Sequence, residues 1–161
     1  MEENSLGVLL PEMRLDFWES LWNGQLSSAA ALSRRLNVLS LPVVAEAPCC
    51  RCVLRLQHGD AYLNQRWRYG RDRLRVAVGN LLPREDHGVF YAVCRLTPRH
   101  VYILSCAMEG TSAEELMEKT QNDINSLIAS MEQYLDLASQ LKEIVPMESL
   151  AKLLEKDTPT A

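Results

Sequence analysis

The chain has 161 residues, 47% apolar and 24% charged, with a net charge of −4. That is the size and mix of one ordinary globular domain with room for a helical extension, and the acidic balance argues against a non-specific nucleic-acid binder, which needs a basic face to displace counterions. No apolar run approaches the roughly 18 residues of a membrane span, the acidic start Met-Glu-Glu-Asn-Ser5 is unlike a secretory signal, and the five cysteines are an odd number, so a cytoplasmic protein with reduced thiols is expected.

Residues 1–12 read as a flexible N-terminus, although Pro11 suits a first helical turn. Met13, Phe17, Trp18, Leu21 and Trp22 then recur at helical spacing, and Asn23-Gly24 stops the helix. Ser27 or Ser28 can cap a second helix carrying Leu32, Leu36 and Leu39. The run from Leu41 to Pro48 reads as a linker held open by its two prolines. Residues 13–48 are thus expected to be a helical extension and linker, 49–156 an α/β sandwich, and 157–161 a disordered tail.

Within the sandwich, Cys49–Gln57 predicts a first strand in which Cys50, Cys52, Leu54 and Leu56 share one face. Asp60 can cap the helical segment that follows, and Gly70 breaks that segment in two, with Leu74, Val78, Leu81 and Leu82 along one side of the second helix. Val89–Leu96 and His100–Met108, rich in Val, Tyr, Ile and Phe, predict a hairpin about Thr97-Pro98-Arg99. A capping box, Thr111 or Ser112 with Glu114 or Glu115, opens a helix over Ala113–Tyr134 with Leu116, Ile124, Leu127 and Met131 inward. Leu135–Val145 suits either a weak last strand or continued helix, and Pro146 opens a short helix to Lys156. Strand, helix, strand, hairpin, strand, helix is the order of a split α/β sandwich, an α+β fold of ferredoxin-like or degenerate GGDEF-like type with an N-terminal helical extension.

No pattern of reactive residues converges. Cys50 and Cys52 share a strand face, but no further pair of Cys or His completes a tetrahedral metal site, so buried structural thiols are the preferred reading and no metal or cofactor is expected. His58, His87 and His100 enter no Ser-His-Asp or Cys-His arrangement. Arg66, Arg68, Arg71, Arg73 and Arg75 could form a basic patch, yet they straddle Gly70 and alternate with Trp67, Tyr69 and Leu74, which favours a solvated helical face. Phe17, Trp18, Leu21 and Trp22 make the most suggestive surface. Two readings stand open for it: core packing, or a contact with a second copy or neighbouring domain.

The stretch Phe17-Trp-Glu-Ser-Leu-Trp-Asn-Gly-Gln-Leu26 resembles the helix, F-x-x-x-L-x-x-G-x-L, that opens the central domain of many bacterial AraC-type transcriptional regulators. Leu39-Ser-Leu-Pro42, the strand Val53–Leu56, the run from Tyr69-Gly-Arg-Asp-Arg-Leu74 to Asn80-Leu81, and the final Leu135–Val145 and Pro146–Lys156 segments occupy similar places. The resemblance covers about residues 13–156. Such domains are similar to degenerate nucleotide-cyclase (GGDEF-type) domains, set between a phospho-receiver domain and a helix-turn-helix DNA-binding domain. A cyclase would need carboxylates at the end of the first strand and Gly-Gly-Asp/Glu at the hairpin, where this chain has Arg55-Leu-Gln-His58 and Leu96-Thr-Pro-Arg-His100. The resemblance therefore implies a non-catalytic regulatory and dimerisation domain of a response regulator, a homodimer that touches neither DNA nor membrane itself, with receiver and helix-turn-helix domains in a longer protein. The other class in contention is a small acidic dimeric type III secretion-type chaperone. Asp60–Leu82 discriminates: helix favours the sandwich, a pair of strands the chaperone.

Overall fold

The computed structural model describes residues 2–26, 28–83 and 87–154, residues 2–9 by their backbone alone. Its elements are α1 (Glu2–Trp22), α2 (Ala29–Val38), β1 (Cys49–Leu56), α3 (Gly59–Ala61) running into a π-helical turn (Tyr62–Arg66), α4 (Arg71–Gly79), β2 (Val89–Leu96), β3 (His100–Ala107), α5 (Ala113–Leu135), β4 (Ser139–Met147) and a 3-10 turn (Leu150–Leu154). The tail expected at 157–161 lies outside the described residues.

The four strands lie in the order β2-β3-β1-β4, every neighbour antiparallel. The path from β1 to β2 skips over β3, and the path from β3 to β4 skips over β1. This interleaving is the split βαββαβ arrangement of the ferredoxin-like type, so the α+β expectation holds. The discriminating stretch is helical, in α3, the π turn and α4.

One face of the sheet is covered by α4 and α5. Cys50, Cys52, Leu54 and Leu56 alternate along β1 toward that face and pack with Leu74, Val78, Ile103, Ile124, Leu127 and Met131. The register of α5 is set at its start, where the Ser112 hydroxyl accepts from the Glu115 N–H at 3.1 Å and Glu115 accepts from the Ser112 N–H at 3.1 Å.

The opposite face carries a second core of similar quality. Phe17, Trp18 and Leu21 of α1 and Leu32 and Leu36 of α2 pack on Cys49, Ala92, Cys94, Leu104 and Cys106 of the sheet, with Leu150 and Leu153 of the 3-10 turn closing the edge. The N-terminal helices are therefore a third layer of the domain. The stretch expected to be a linker belongs to that layer: Leu41, Val43, Ala45 and Ala47 are buried, and the Ala45 and Ala47 carbonyls accept from Ala151 and Leu150 N–H at 3.0 and 2.8 Å. The segment is irregular, with a turn at Ala45-Glu46 closed by the Ala47 N–H donating to the Val44 carbonyl at 3.0 Å, and its alternate residues Leu41, Val43, Ala45 and Ala47 face inward.

Three further expectations are corrected. Residues 2–12 are helical, with Pro11 inside α1 at the cost of one backbone bond. Asp60 does not cap α3; the N-cap is His58, at φ 55° and without a side-chain bond. The short helix expected from Pro146 is a strand end followed by the 3-10 turn. Because β4 is an edge strand, paired on one side only, it accommodates Gln140, Lys142 and Glu143 in solvent and a proline near its end.

Candidate functional site

The interface suggested by Phe17, Trp18, Leu21 and Trp22 is mostly consumed by the fold. Phe17 and Leu21 are 0% exposed and Trp18 3%; the Phe17 and Trp18 rings meet edge-on, and Trp18 lies against Phe90 of β2. The spacing that marked them is that of a helix lying on the sheet, and the sheet belongs to the same chain. Trp22 alone is half-buried. Its ring lies 5.4 Å from Tyr102 and 4.7 Å from the guanidinium of Arg51, an arrangement that lets the cation sit on a π face.

The cysteines are buried and free, divided between the two cores. Burial, reinforced by the neighbouring Cys50, pushes the Cys49 thiol up to about 12, and burial raises Cys50, Cys52, Cys94 and Cys106 as well. Thiols held protonated are poor nucleophiles and poor metal ligands. Among the described residues no group of three or more His, Cys, Asp or Glu is placed to hold a metal ion.

The arginine run divides. Arg66, Arg68, Arg71 and Arg73 are exposed, and Arg66 pairs with the equally exposed Asp136. Arg75 is only 6% exposed. Its Nε donates to the Val93 carbonyl at 2.7 Å and its Nη2 to the Leu15 carbonyl at 2.7 Å, with Nη1 3.4 Å from Glu19. It ties α4 to the irregular point of β2 and to α1 at once. Sequence spacing could not separate it from its exposed neighbours.

A second polar group lies under α5. The Tyr91 hydroxyl donates to Asp123 at 2.5 Å, His87 Nε2 lies 3.3 Å from the same carboxylate oxygen, and the Thr120 hydroxyl bonds Ser105 at 2.8 Å with both residues fully buried. Burial and the Asp123 carboxylate push the Tyr91 hydroxyl well up, so it stays a donor. These bonds fasten α5 and the loop before β2 to the sheet.

The arrangement with most chemical capacity is at the end of the sheet where β1 gives way to α3 and the β2–β3 turn closes. There Arg55, His58, Asp60, Arg99, His100 and Lys142 line a cavity of about 670 Å³. Its walls come from three separate pieces of chain held close by the backbone. Leu56 N–H donates to the Arg99 carbonyl at 2.8 Å, and Gln57 N–H to the Ala138 carbonyl at 2.9 Å. Gly59 is buried against the turn so closely that a Cβ there would collide with the Pro98 carbonyl, which makes glycine the residue this approach requires. The turn itself is fixed by Thr97, whose hydroxyl accepts from the N–H groups of Arg99 and His100 at 3.2 and 3.0 Å.

The electrostatics of this cavity are one-sided. Arg55, Arg99 and Lys142 form no ion pair among the described residues, and Asp60 is the sole carboxylate in the lining. Burial, then repulsion from Lys142, Arg55 and Arg99, lowers the pKa of His100 below its ordinary 6.5, so the ring is neutral at pH 7. Its Nδ1 lies 3.4 Å from the Tyr102 hydroxyl. Arg55, His58, Arg99 and His100 stand out in the sequence for the acids they replace; Lys142 stands out only as a residue that weakens the last strand. What brings Lys142 beside the others is the pairing of β4 with β1, where Arg55 lies opposite Gln140, and no local pattern specifies that.

Among the described residues no helix is long and apolar enough to cross a membrane. No family model matches the chain, and neither a curated protein nor a solved structure matches it.

Proposed function

We propose that the chain is a non-catalytic regulatory domain, of the kind found at the centre of bacterial AraC-type response regulators, working as a cytoplasmic homodimer alongside receiver and helix-turn-helix domains. The observation that carries this reading is the make-up of the strand-end cavity. In a split sandwich of this order, cyclase-like phosphoryl chemistry would require carboxylates there to hold divalent cations; Arg55, Arg99 and Lys142 stand there instead and would repel them. The degenerate motifs from Phe17 to Lys156 add to it. The dimer of this reading uses a surface other than Phe17, Trp18 and Leu21, which are spent on the chain's own core. The secretion-type chaperone reading gains nothing from the Asp60–Leu82 stretch, which forms helices where that reading would have two strands.

The test is a fusion of the whole chain ahead of a helix-turn-helix domain that binds its operator only as a dimer. Repression of a reporter by the fusion, and none by the helix-turn-helix domain alone, is the expected result. A fusion that fails to repress and sediments as a monomer overturns the dimerising reading. Magnesium-dependent turnover of a nucleoside triphosphate by the purified chain overturns the non-catalytic one.

A further inference from the structure

We infer that the strand-end cavity binds a small metal-free polyanion, a phosphate ester or polycarboxylate, as the effector of this domain. The inference deepens the regulatory reading above by naming the chemistry of the ligand. Three observations carry it.

The first is concentration of charge. The chain is acidic overall, with 21 acidic and 17 basic residues. Arg55, Arg99 and Lys142 nevertheless face one cavity with one carboxylate, Asp60, in its lining and no ion pair among the described residues. They come from β1, the β2–β3 turn and β4, so the clustering is a product of the fold and not of a solvated helical face. Gathering like charges raises the free energy of the unliganded state, and a bound anion relieves it. The pKa of His100 is lowered first by burial and then by repulsion from those same cations.

The second is shape. A cavity of about 670 Å³ has the size of a small-molecule site, and its walls are held by the backbone bonds from Leu56 and Gln57 and by the contact of Gly59 with the Pro98 turn. The cations are therefore presented from a rigid frame, which favours a compact ligand over an extended strand. The third is the donor set. Arg55 and Arg99 offer planar forks that match two oxygens of a phosphate or carboxylate, and Lys142 a compact point charge. His58 and His100 add ring nitrogens, and His100 becomes a further cation if a bound anion raises its pKa.

The experiment is calorimetric titration of the whole chain at low ionic strength with a chelator present, using inorganic pyrophosphate and citrate as probes, beside an NMR titration of the His100 ring. Saturable binding is expected, weaker as salt rises and stronger as pH falls through the His100 pKa, with that pKa moving up in the bound state. The double substitution Arg55→Ala/Lys142→Ala is expected to weaken binding by about tenfold or more, because it removes two charge-assisted contacts. Asp60→Asn is expected to tighten it, and keeps the idea testable if the double variant does not fold. The tighter of the two probes assigns the ligand to phosphate or to carboxylate. No saturable binding of either probe by the folded chain sinks the inference, as does binding that Asp60→Asn or the folded double variant leaves unchanged. Binding is read on the chain whether or not it dimerises. A monomer that binds keeps this inference while the dimerising reading falls, and a dimer that ignores both probes does the reverse.

Discussion

One face of the sheet presents Cys50, Cys52, Leu54 and Leu56 to helices α4 and α5, which lie between the strands in sequence. The other presents Cys49, Ala92, Cys94, Leu104 and Cys106 to α1 and α2, which precede the first strand altogether. The cores resemble one another in content and differ in how they are tied. The first is obligatory, since a βαββαβ path must lay both crossover helices on the sheet. The second depends on contacts that the path does not enforce: the indole and phenyl rings of α1, the irregular 41–48 segment, and Arg75 reaching to the Leu15 carbonyl. The second face also stops short. Two-residue alternation puts Tyr102 and His100 on the same side of β3 as Leu104 and Cys106; Tyr102 meets Trp22, the last residue of α1, and His100 lines the basic cavity beyond it.

The sharpest way to break the comparison is to empty one core at a time. Phe17→Ala on the second face and Leu127→Ala on the first each remove a fully buried side chain. The expected costs are about 3–5 and about 2–5 kcal/mol. If the three layers form one cooperative unit, denaturant unfolding of both variants stays a single transition. Signals from variants that keep only Trp18 or only Trp67, one indole on each side of the sheet, then coincide. A Phe17→Ala protein whose Trp18 signal melts well before its Trp67 signal would show the N-terminal layer to be a separate, detachable unit.

Arg75→Met comes next. It keeps the length of the side chain and deletes the bonds to the Val93 and Leu15 carbonyls and the pair with Glu19. Hydrogen bonds from a charged donor carry about 1.5–3 kcal/mol each, partly offset because the guanidinium no longer has to be buried, so a loss of about 2–4 kcal/mol in unfolding free energy is expected. The loss should be accompanied by faster hydrogen exchange in α1. Loss of stability with α1 protection intact would mean that Arg75 serves the first core and does not tie the two together.

The same division explains what the sequence discloses. Elements whose residues form a local period were legible: the hairpin, the two crossover helices, the Ser112/Glu115 capping box, and Leu116, Ile124, Leu127 and Met131 along α5. The Phe17 stripe was legible as a helix face but not as to what covers it, because any apolar surface, of this chain or another, satisfies the same pattern. Arg75 hid among four other arginines two or three residues apart, and only the three-dimensional placement of Val93 and Leu15 distinguishes it. The segment 41–48 advertised its prolines and concealed its alternation of buried Leu41, Val43, Ala45 and Ala47. The cavity was half legible: the bases at the ends of β1 and the hairpin were visible, whereas Lys142 joins them through a strand pairing across about ninety residues of chain.

A smaller effect is expected at Ser105 and Thr120, whose hydroxyls bond at 2.8 Å between β3 and α5 in the first core. Ser105→Ala or Thr120→Val alone leaves its partner buried and short of a bond and should cost about 1–3 kcal/mol. Together they should cost less than the sum, because the orphaned partner disappears. A strictly additive double-mutant cycle would show the two hydroxyls to be satisfied independently.

The smallest effect belongs to the uncovered end of the second face and turns on the sign of one pKa shift. In the unfolded chain His100 takes up its proton near its ordinary 6.5; in the fold, desolvation and the charges of Lys142, Arg55 and Arg99 delay protonation to lower pH. Between those two values the unfolded state holds more protons. The stability associated with a neutral His100 is therefore complete above about pH 6.5 and is lost as pH falls through the lower folded value. Protonating the ring would also leave Nδ1, 3.4 Å from the Tyr102 hydroxyl, able only to donate. The denaturation midpoint of the wild type should accordingly fall more steeply with acid than that of His100→Gln, which has no proton to gain. Arg55→Ala and Lys142→Ala should each raise the His100 pKa measured by NMR, by removing a repelling charge. His58 and Asp60 share the cavity, so the histidine resonances must be assigned individually. An equal acid slope in wild type and His100→Gln would mean that the cations at this end are too well solvated to act on the ring, and the uncovered part of the sheet would then be ordinary surface.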